Sequence, residues 1–424
     1  LVIKMTAPEP ITWISNPRAA TISHSPAVAK YFPAGISEST RSFHTFIPSY
    51  RVTPLKSLNR LASLLGIDSL WVKDEADRLS LGSFKVLGGS FAIFQTILKM
   101  LGNPEGFSFS DLSLPEVRQE LGDVTFAAAT DGNHGRGVAW SATQLGFKSI
   151  IYVHENTSKA RIEAIERNGA QVVVIEGTYD DAVRQVNDDA QKNGWQVISD
   201  TSWEGYEEIP IWVMQGYTTM FAEVQQQLVA MGQFNPTHIF MQAGVGSLAA
   251  SAFGFYASLF GKDRPKMVVV EPDQAACLFH SMEFGDGKPH SYPGNLDTIM
   301  AGLACGDPNP IAWEVLYDCA DGFIKCPDYV AAKGMRVAGV PLYGDPYMIA
   351  GESGAVTLGA LMFVLELDRY AYIREALGLD ENSRVLLVNS ERNTDPDEYR
   401  RVVWDGGDQI PRQYRMHKNP FTET

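Results

Sequence analysis

Lys85 lies in the run Ser83-Phe84-Lys85-Val86-Leu87-Gly88-Gly89, just past the apolar stretch Leu70-Trp71-Val72. A lysine set against an aromatic ring is partly desolvated. That lowers its pKa and frees the amine to form an imine with a carbonyl. Taken alone the run is ambiguous, because most lysines are solvated surface charges. Its meaning depends on which other groups the chain can bring to it.

Four further runs carry chemistry. Ala243-Gly244-Val245-Gly246-Ser247-Leu248-Ala249 follows an apolar run and opens a helical one. Glycines let backbone amides approach an anion, and a helix N-terminus adds partial positive charge, so Gly244 to Leu248 read as a phosphate cradle. The same loop, with Glu271 ending a strand farther on, also matches a dinucleotide fingerprint, and a plain tight turn is a third reading. Thr130-Asp131-Gly132-Asn133-His134-Gly135-Arg136-Gly137 stands at the carboxyl end of a strand, where open α/β sheets gather ligands. There Thr130 and the amides could hold a carboxylate, Asn133 offers donor and acceptor, and Asp131 is an acid or base, or simply a helix cap. His134 reads as structural. Asp200, in Ser199-Asp200-Thr201-Ser202-Trp203-Glu204-Gly205, is a second carboxylate, and Ser390 after Val388-Asn389 suits a neutral hydrogen bond.

The elements that must position these residues alternate. Apolar strands at 125–129, 149–153, 171–175, 196–198, 238–242, 267–271 and 385–388 are separated by helices at about 86–101, 135–145, 159–168, 179–192, 211–231 and 248–260. Strands that are apolar throughout and alternate with helices predict parallel sheets covered on both faces. The expected architecture is α/β, with two open twisted sheets. Residues 1–85 with 216–424 are expected to form a large domain, and 86–215 a small one. Residues 5–50 read as an extended lead-in and 55–66 as a helix.

At 424 residues two domains are expected, and 45% hydrophobic and 11% aromatic content are those of a well-packed protein. A formal charge of −15 argues against a nucleic-acid or anionic-membrane partner. No apolar run reaches membrane-spanning length, and residues 1–20 lack the hydrophobic segment of a secretory signal, with Met5 the expected start. Cys277, Cys305, Cys319 and Cys326 lack zinc-site spacing, and a metal is not expected. A reducing, cytoplasmic compartment fits, with a Cys277–Cys305 bridge left open.

Together, the order Ser-Phe-Lys, Gly-Asn-His-Gly, Gly-Val-Gly-Ser and a terminal strand with Ser resembles the fold-type-II pyridoxal-phosphate enzymes, the group of tryptophan synthase β chain and threonine dehydratase. The runs 129–140, 200–206, 300–310 and 351–355 are similar to the diaminopropionate ammonia-lyase family, and the likeness spans about 50–405. It implies pyridoxal 5'-phosphate between the domains and a homodimer. It also implies elimination on D- or L-2,3-diaminopropionate, giving pyruvate and two ammonia. Lys85 then matches the lysine that holds the cofactor, Phe84 its neighbour, and Asn133 the partner of the 3-hydroxyl. Gly244, Val245, Gly246, Ser247 and Leu248 match the phosphate loop, and Ser390 the partner of the pyridine nitrogen. Asp131 and Asp200 match two acidic active-site residues, Asp131 standing where dehydratases carry alanine or serine.

One departure is Arg392, where the family shows glycine; it either touches the cofactor edge or points to solvent. The competing functions are a serine/threonine dehydratase on the same scaffold, a dinucleotide-binding oxidoreductase using the 244–249 loop, and a non-catalytic ligand-binding descendant.

Overall fold

The computed structural model describes residues 7–130 and 132–415; residues 1–6, 131 and 416–424 lie outside the described residues. Eleven strands are named among them. In chain order they are β1 (Thr12–Ser15), β2 (Leu55–Ser57), β3 (Ser69–Asp74), β4 (Thr125–Thr130), β5 (Lys148–His154) and β6 (Gln171–Ile175). β7 (Gln196–Val197), β8 (His238–Gln242), β9 (Lys266–Pro272), β10 (Gly322–Cys326) and β11 (Arg384–Asn389) follow.

They form a seven-stranded sheet in the order β1-β10-β9-β8-β11-β3-β2 and a four-stranded sheet in the order β6-β5-β4-β7. The small sheet is parallel throughout, and the large one is parallel except at its two edges, where β1 and β2 run antiparallel. The two-sheet α/β architecture expected from the alternation is therefore present.

Both faces of each sheet are covered, which is why the strands are apolar at every position. In β4, Phe126 and Ala128 join one core while Ala127 and Ala129 join another, against Ala182, Val186 and Ala190 of the helix Tyr179–Asn193. In β11, Leu386 and Val388 face one core and Val385 and Leu387 the other.

The N-terminal part corrects two expectations. Residues 7–50 are not an extended wrap: β1 pairs with β10, and helices run over Pro26–Tyr31 and Ile36–Thr45. Ser25 caps the first of these, accepting from the Val28 amide with proline at the first turn, while Tyr31, Phe32, Phe43 and Ile47 are buried. Nor is 55–66 one helix. Leu55–Ser57 is an edge strand against β3, and only Asn59–Leu65 is helical, burying Leu61, Ala62 and Leu65.

What positions Lys85 is a loop clamped from both sides. Ser83 bridges to Glu391, the Phe84 amide donates to the Ser390 carbonyl at 3.2 Å, and the Arg392 amide donates to the Gly82 carbonyl at 2.9 Å. Lys85 is then the N-cap of the helix Val86–Met100. Glycines let that helix approach its neighbours closely: a Cβ on Gly88 would come within 2.5 Å of Tyr217, and one on Gly137 within 2.9 Å of the Val86 Cα.

Beneath the loop lies a buried charge network. Arg78 donates to Glu75 at 2.7 Å and to Glu223 at 2.8 Å, Lys73 donates to Glu223 at 2.6 Å, and Tyr50 and Thr53 complete the shell. All four charged side chains are inaccessible to solvent. Burial pushes the Glu223 carboxyl up, but Arg78 and Lys73 bring it below the usual range. The stability it contributes is thus present above the ordinary carboxylate pKa and is lost as pH falls through the lowered value. Arg78→Ala leaves the buried Glu75 without its cation and Glu223 with Lys73 alone, and is expected to cost about 3–5 kcal/mol, read as a lowered urea midpoint. An unchanged midpoint would show that the network contributes nothing net.

Candidate active site

The ends of β4, β7, β8 and β11 and the Lys85 loop converge on one cavity of about 640 Å³ of free space, part of it open to solvent. Phe84, Lys85, Asn133, Asp200, Gly244 to Leu248 and Ser390 all line it. Five segments far apart in sequence are thereby brought together.

Lys85 Nζ donates to Asp200 Oδ2 at 2.5 Å, and the Phe84 ring lies 5.8 Å from the same nitrogen. Asp200 is 4% exposed. Burial pushes its carboxyl up, but the Lys85 ammonium, His134 and the Tyr179 hydroxyl outweigh this and hold it well below the usual carboxylate range. It is therefore an anion, and an acceptor only. Tyr179 donates to its other oxygen, Oδ1, at 2.9 Å. His134 donates from Nε2 to the Ile198 carbonyl at 2.7 Å, and its Nδ1 is 4.0 Å from Asp200 Oδ2. The structural reading of His134 thus keeps a role, since it orients the strand end that carries Asp200.

The glycine loop enters the helix Ser247–Phe260 through Gly246, whose φ of +103° favours glycine. A Cβ on Gly244 would stand 3.0 Å from Cys305 Sγ and 3.2 Å from the Leu303 Cα, so a side chain at that position would crowd the 303–305 segment. Ser247 Oγ donates to the Asp200 carbonyl at 2.5 Å. Asn309 Nδ2 donates to Ser247 Oγ at 2.9 Å and its Oδ1 accepts from Ser202 at 2.6 Å, tying the Asp200 segment to the loop.

The dinucleotide reading fails at Glu271. That side chain is fully buried at the end of β9, and its two oxygens accept from the Leu278 and Phe279 amides at 2.8 and 2.7 Å. It faces a helix start, where a ribose cannot reach it.

At the last strand, Gln242 Nε2 donates to Ser390 Oγ at 2.9 Å and to the Val388 carbonyl at 2.9 Å. Ser390 keeps its own hydrogen to give. Asn133 Nδ2 donates to Glu391 Oε2 at 2.6 Å, and the Ser353 amide donates to Glu391 Oε1 at 3.3 Å. Arg392 points outward, its side chain 46% exposed and 3.2 Å from Asp77, and does not line the cavity.

Thr130 does not line it either: it is fully buried, and its Oγ1 accepts from the Gly132 and Gly135 amides at 2.8 and 3.0 Å, shaping the turn from behind. Asp131 lies outside the described residues. Cys277 and Cys305 are not joined to each other in a disulfide.

Tyr179, Gln242, Asn309 and Ser353 were not singled out from sequence. Only Gln242 carried a signal, as the polar last residue of an otherwise apolar strand. Buried Ser353 Oγ and Gln242 Oε1 have no hydrogen-bond partner on the cavity wall. An amine, a glycine-containing amide cradle at a helix start, a hydroxyl with a hydrogen to give and two unpartnered polar atoms fit a phosphorylated aromatic aldehyde. The same set fits no metal, and among the described residues no cluster of His, Cys, Asp or Glu could hold one.

Comparison with known proteins agrees with that fit. Residues 47–391 match the family described as pyridoxal-phosphate dependent enzyme. A diaminopropionate ammonia-lyase of Salmonella typhimurium is 43% identical over 373 residues, covering 88% of this chain and 92% of that protein. A crystal structure of diaminopropionate ammonia lyase from Escherichia coli in complex with D-serine superposes with a TM-score of 0.87 at 40% identity, covering 95% of this chain and 98% of that one. The same Escherichia coli enzyme in complex with an aminoacrylate-PLP azomethine reaction intermediate gives a TM-score of 0.85 at 41% identity, over 94% and 98% of the two chains.

Proposed function

The chain belongs to the pyridoxal-phosphate-dependent enzymes, and from that premise we propose that it eliminates ammonia from D- and L-2,3-diaminopropionate, giving pyruvate and a second ammonia. The observation that carries the choice of substrate is Asp200, an ionised, buried carboxylate on the Lys85 amine. An acceptor-only carboxylate can hold a β-ammonium. It has no proton to give a departing hydroxyl.

Pyridoxal phosphate, when bound, supplies an electron sink for the pair left at the substrate's α-carbon. Lys85 would hold it, the amides of 244–248 would take its phosphate, and Ser390 would give its hydrogen to the ring nitrogen. Because Gln242 already donates to Ser390 Oγ, the serine hydrogen faces the cavity and leaves that nitrogen unprotonated. Asn133, steadied by Glu391, would meet the 3-hydroxyl.

Lys85 Nζ takes the α-proton of the L-isomer, and Asp131 takes that of the D-isomer from the other face. Asp200 Oδ2 keeps the β-nitrogen protonated, so the Cβ–N pair leaves with the nitrogen as neutral ammonia and needs no further proton. Water then releases the second ammonia from the remaining enamine. The dehydratase reading lacks this support, since a hydroxyl leaves well only when protonated.

Assaying pyruvate and ammonia from 2,3-diaminopropionate and from serine side by side tests the reading. The diamino acid is expected to be favoured by about 10²-fold or more in kcat/KM, the lower range for one proton-transfer contribution. Equal turnover of serine would make the protein a dehydratase. For Asp131→Asn, the D-isomer is expected to lose more activity than the L-isomer, and equal losses would remove the two-base assignment.

No described helix is long and apolar enough to cross a membrane. A homodimer in the cytoplasm completes the proposal, and the four cysteines, none in a disulfide, suit a reducing compartment.

A further inference from the structure

A second cavity lies against the outside of the active-site wall. The 351–353 turn separates the two: Ser353 lines the inner cavity, while Glu352 lines the outer one, which holds about 800 Å³ of free space and opens to solvent. Ile299 and Ala301 line the outer side and Gly302 and Leu303 the inner. The outer cavity also abuts the turn before Asn133, since a Cβ on Gly132 would stand 3.2 Å from the Arg161 side chain.

Its lining is strongly polar and uneven in charge. Four carboxyl groups, Asp297, Asp328, Asp395 and Glu398, face two guanidinium groups, Arg161 and Arg401, while burial and the nearby Glu391 push the Glu352 carboxyl up to about 8 and leave it uncharged. On its wall Thr157 is 8% exposed, and its hydroxyl has no hydrogen-bond partner. The Ser158 hydroxyl beside it, at the N-cap of the helix Lys159–Glu166, has none either. Buried hydroxyls left unpaired on a cavity wall are sites where a ligand's polar group regains the missing bond.

We propose that this outer cavity is a holding subsite for the substrate's diamino cation, occupied before the inner cavity is reached; this rests on the function proposed above. The chemistry is complementary. The surplus of carboxyls attracts a second ammonium, while Arg161 and the two hydroxyls at a helix start receive the single carboxylate. Serine has the carboxylate and only one ammonium, so it lacks the feature the surplus selects. The inner site then chooses by Asp200, and the outer one by net charge.

The test is a double variant, Asp297→Asn with Asp395→Asn, in the holoenzyme. Asp297 is exposed, and asparagine preserves the capping bond that Asp395 makes to the Glu398 amide. Stopped-flow absorbance on mixing with 2,3-diaminopropionate or with serine gives a second-order rate constant for each, at a pH where both amines are protonated. The ratio of the two constants is expected to fall about four-fold at low ionic strength, the effect of removing two charges near 10 Å in water. The difference should vanish at about 0.5 M salt, where screening is complete. An unchanged ratio, or one equally lowered at high salt, overturns the subsite. Should the unaltered protein release no pyruvate from diaminopropionate, the proposed function itself falls and the subsite with it. Pyruvate release with an unchanged ratio removes the subsite alone.

Discussion

Lys85→Ala is expected to lower turnover of 2,3-diaminopropionate by up to about 10⁴-fold, the upper range for losing a positioned acid–base group, and to abolish the visible absorption of the lysine-bound cofactor with it. The two losses belong together because one nitrogen serves both ends. Lys85 is the lysine on the cavity wall, its loop is pinned to β11 through Phe84 and Arg392, and its Nζ is oriented by Asp200. The variant is expected to fold, since Lys85 is part-exposed and the Asp200 carboxylate it leaves behind keeps its hydrogen bond from Tyr179. It should still take up pyridoxal phosphate without a covalent tether, because the amide cradle at 244–248 is untouched. Absorption spectra and pyruvate release on the same preparation check this. Retention of both would end the assignment of Lys85. Loss of the spectrum with full turnover would move the proton-transfer role to another residue.

The parallel sheets were legible because burial on both faces writes an apolar signal at every strand position, as Phe126 to Ala129 show. Elements held by edges were not. β2 is three residues long, and its helical look came from the leucine spacing of Leu58, Leu61 and Leu65, which belongs to the helix that follows. The dividing lines drawn at 85/86 and 215/216 fall at a helix cap and inside the unbroken helix Glu208–Ala230. Two helix-covered sheets that share packing glycines need no linker between them, so no loop signal marks a boundary there. Gly88 and Gly89 stood out beside the lysine. The structure gives Gly88 another reason, close helix packing on Val213 and Tyr217.

In the cavity, residues that sit in short recurring runs were legible, and residues that act by reaching in from elsewhere were not. Gly244 to Leu248, Asn133 and Ser390 are local to their strand ends. Tyr179 is the first residue of a helix whose other buried positions, Ala182, Val186 and Ala190, serve the core, and its hydroxyl role depends on Asp200 being folded beneath it. Asn309 acts at a distance of 62 residues from Ser247. Glu391 is another such case. It holds Asn133 and the Ser353 amide, a bridge between three chain segments that no spacing reveals.

Asp200→Asn is expected to lower kcat/KM for 2,3-diaminopropionate by about 10²–10⁴-fold, the range for losing a positioned acid–base group. The amide keeps the shape of the carboxylate and can still accept from Tyr179, so the fold should stand. What it loses is the charge that keeps the β-nitrogen protonated. A neutral β-amine must leave as amide ion or await a proton, and either is slow. Serine turnover, which never used that charge, should fall much less, so the ratio of the two kcat/KM values carries the result. The pH profile separates the cases further. Asp200 is held ionised far below the working range, so the wild-type acid limb cannot come from its titration and should survive in the variant. A variant that loses serine and diaminopropionate activity in equal measure would show Asp200 acting through Lys85 alone. The substrate's second amine would then be recognised elsewhere in the cavity.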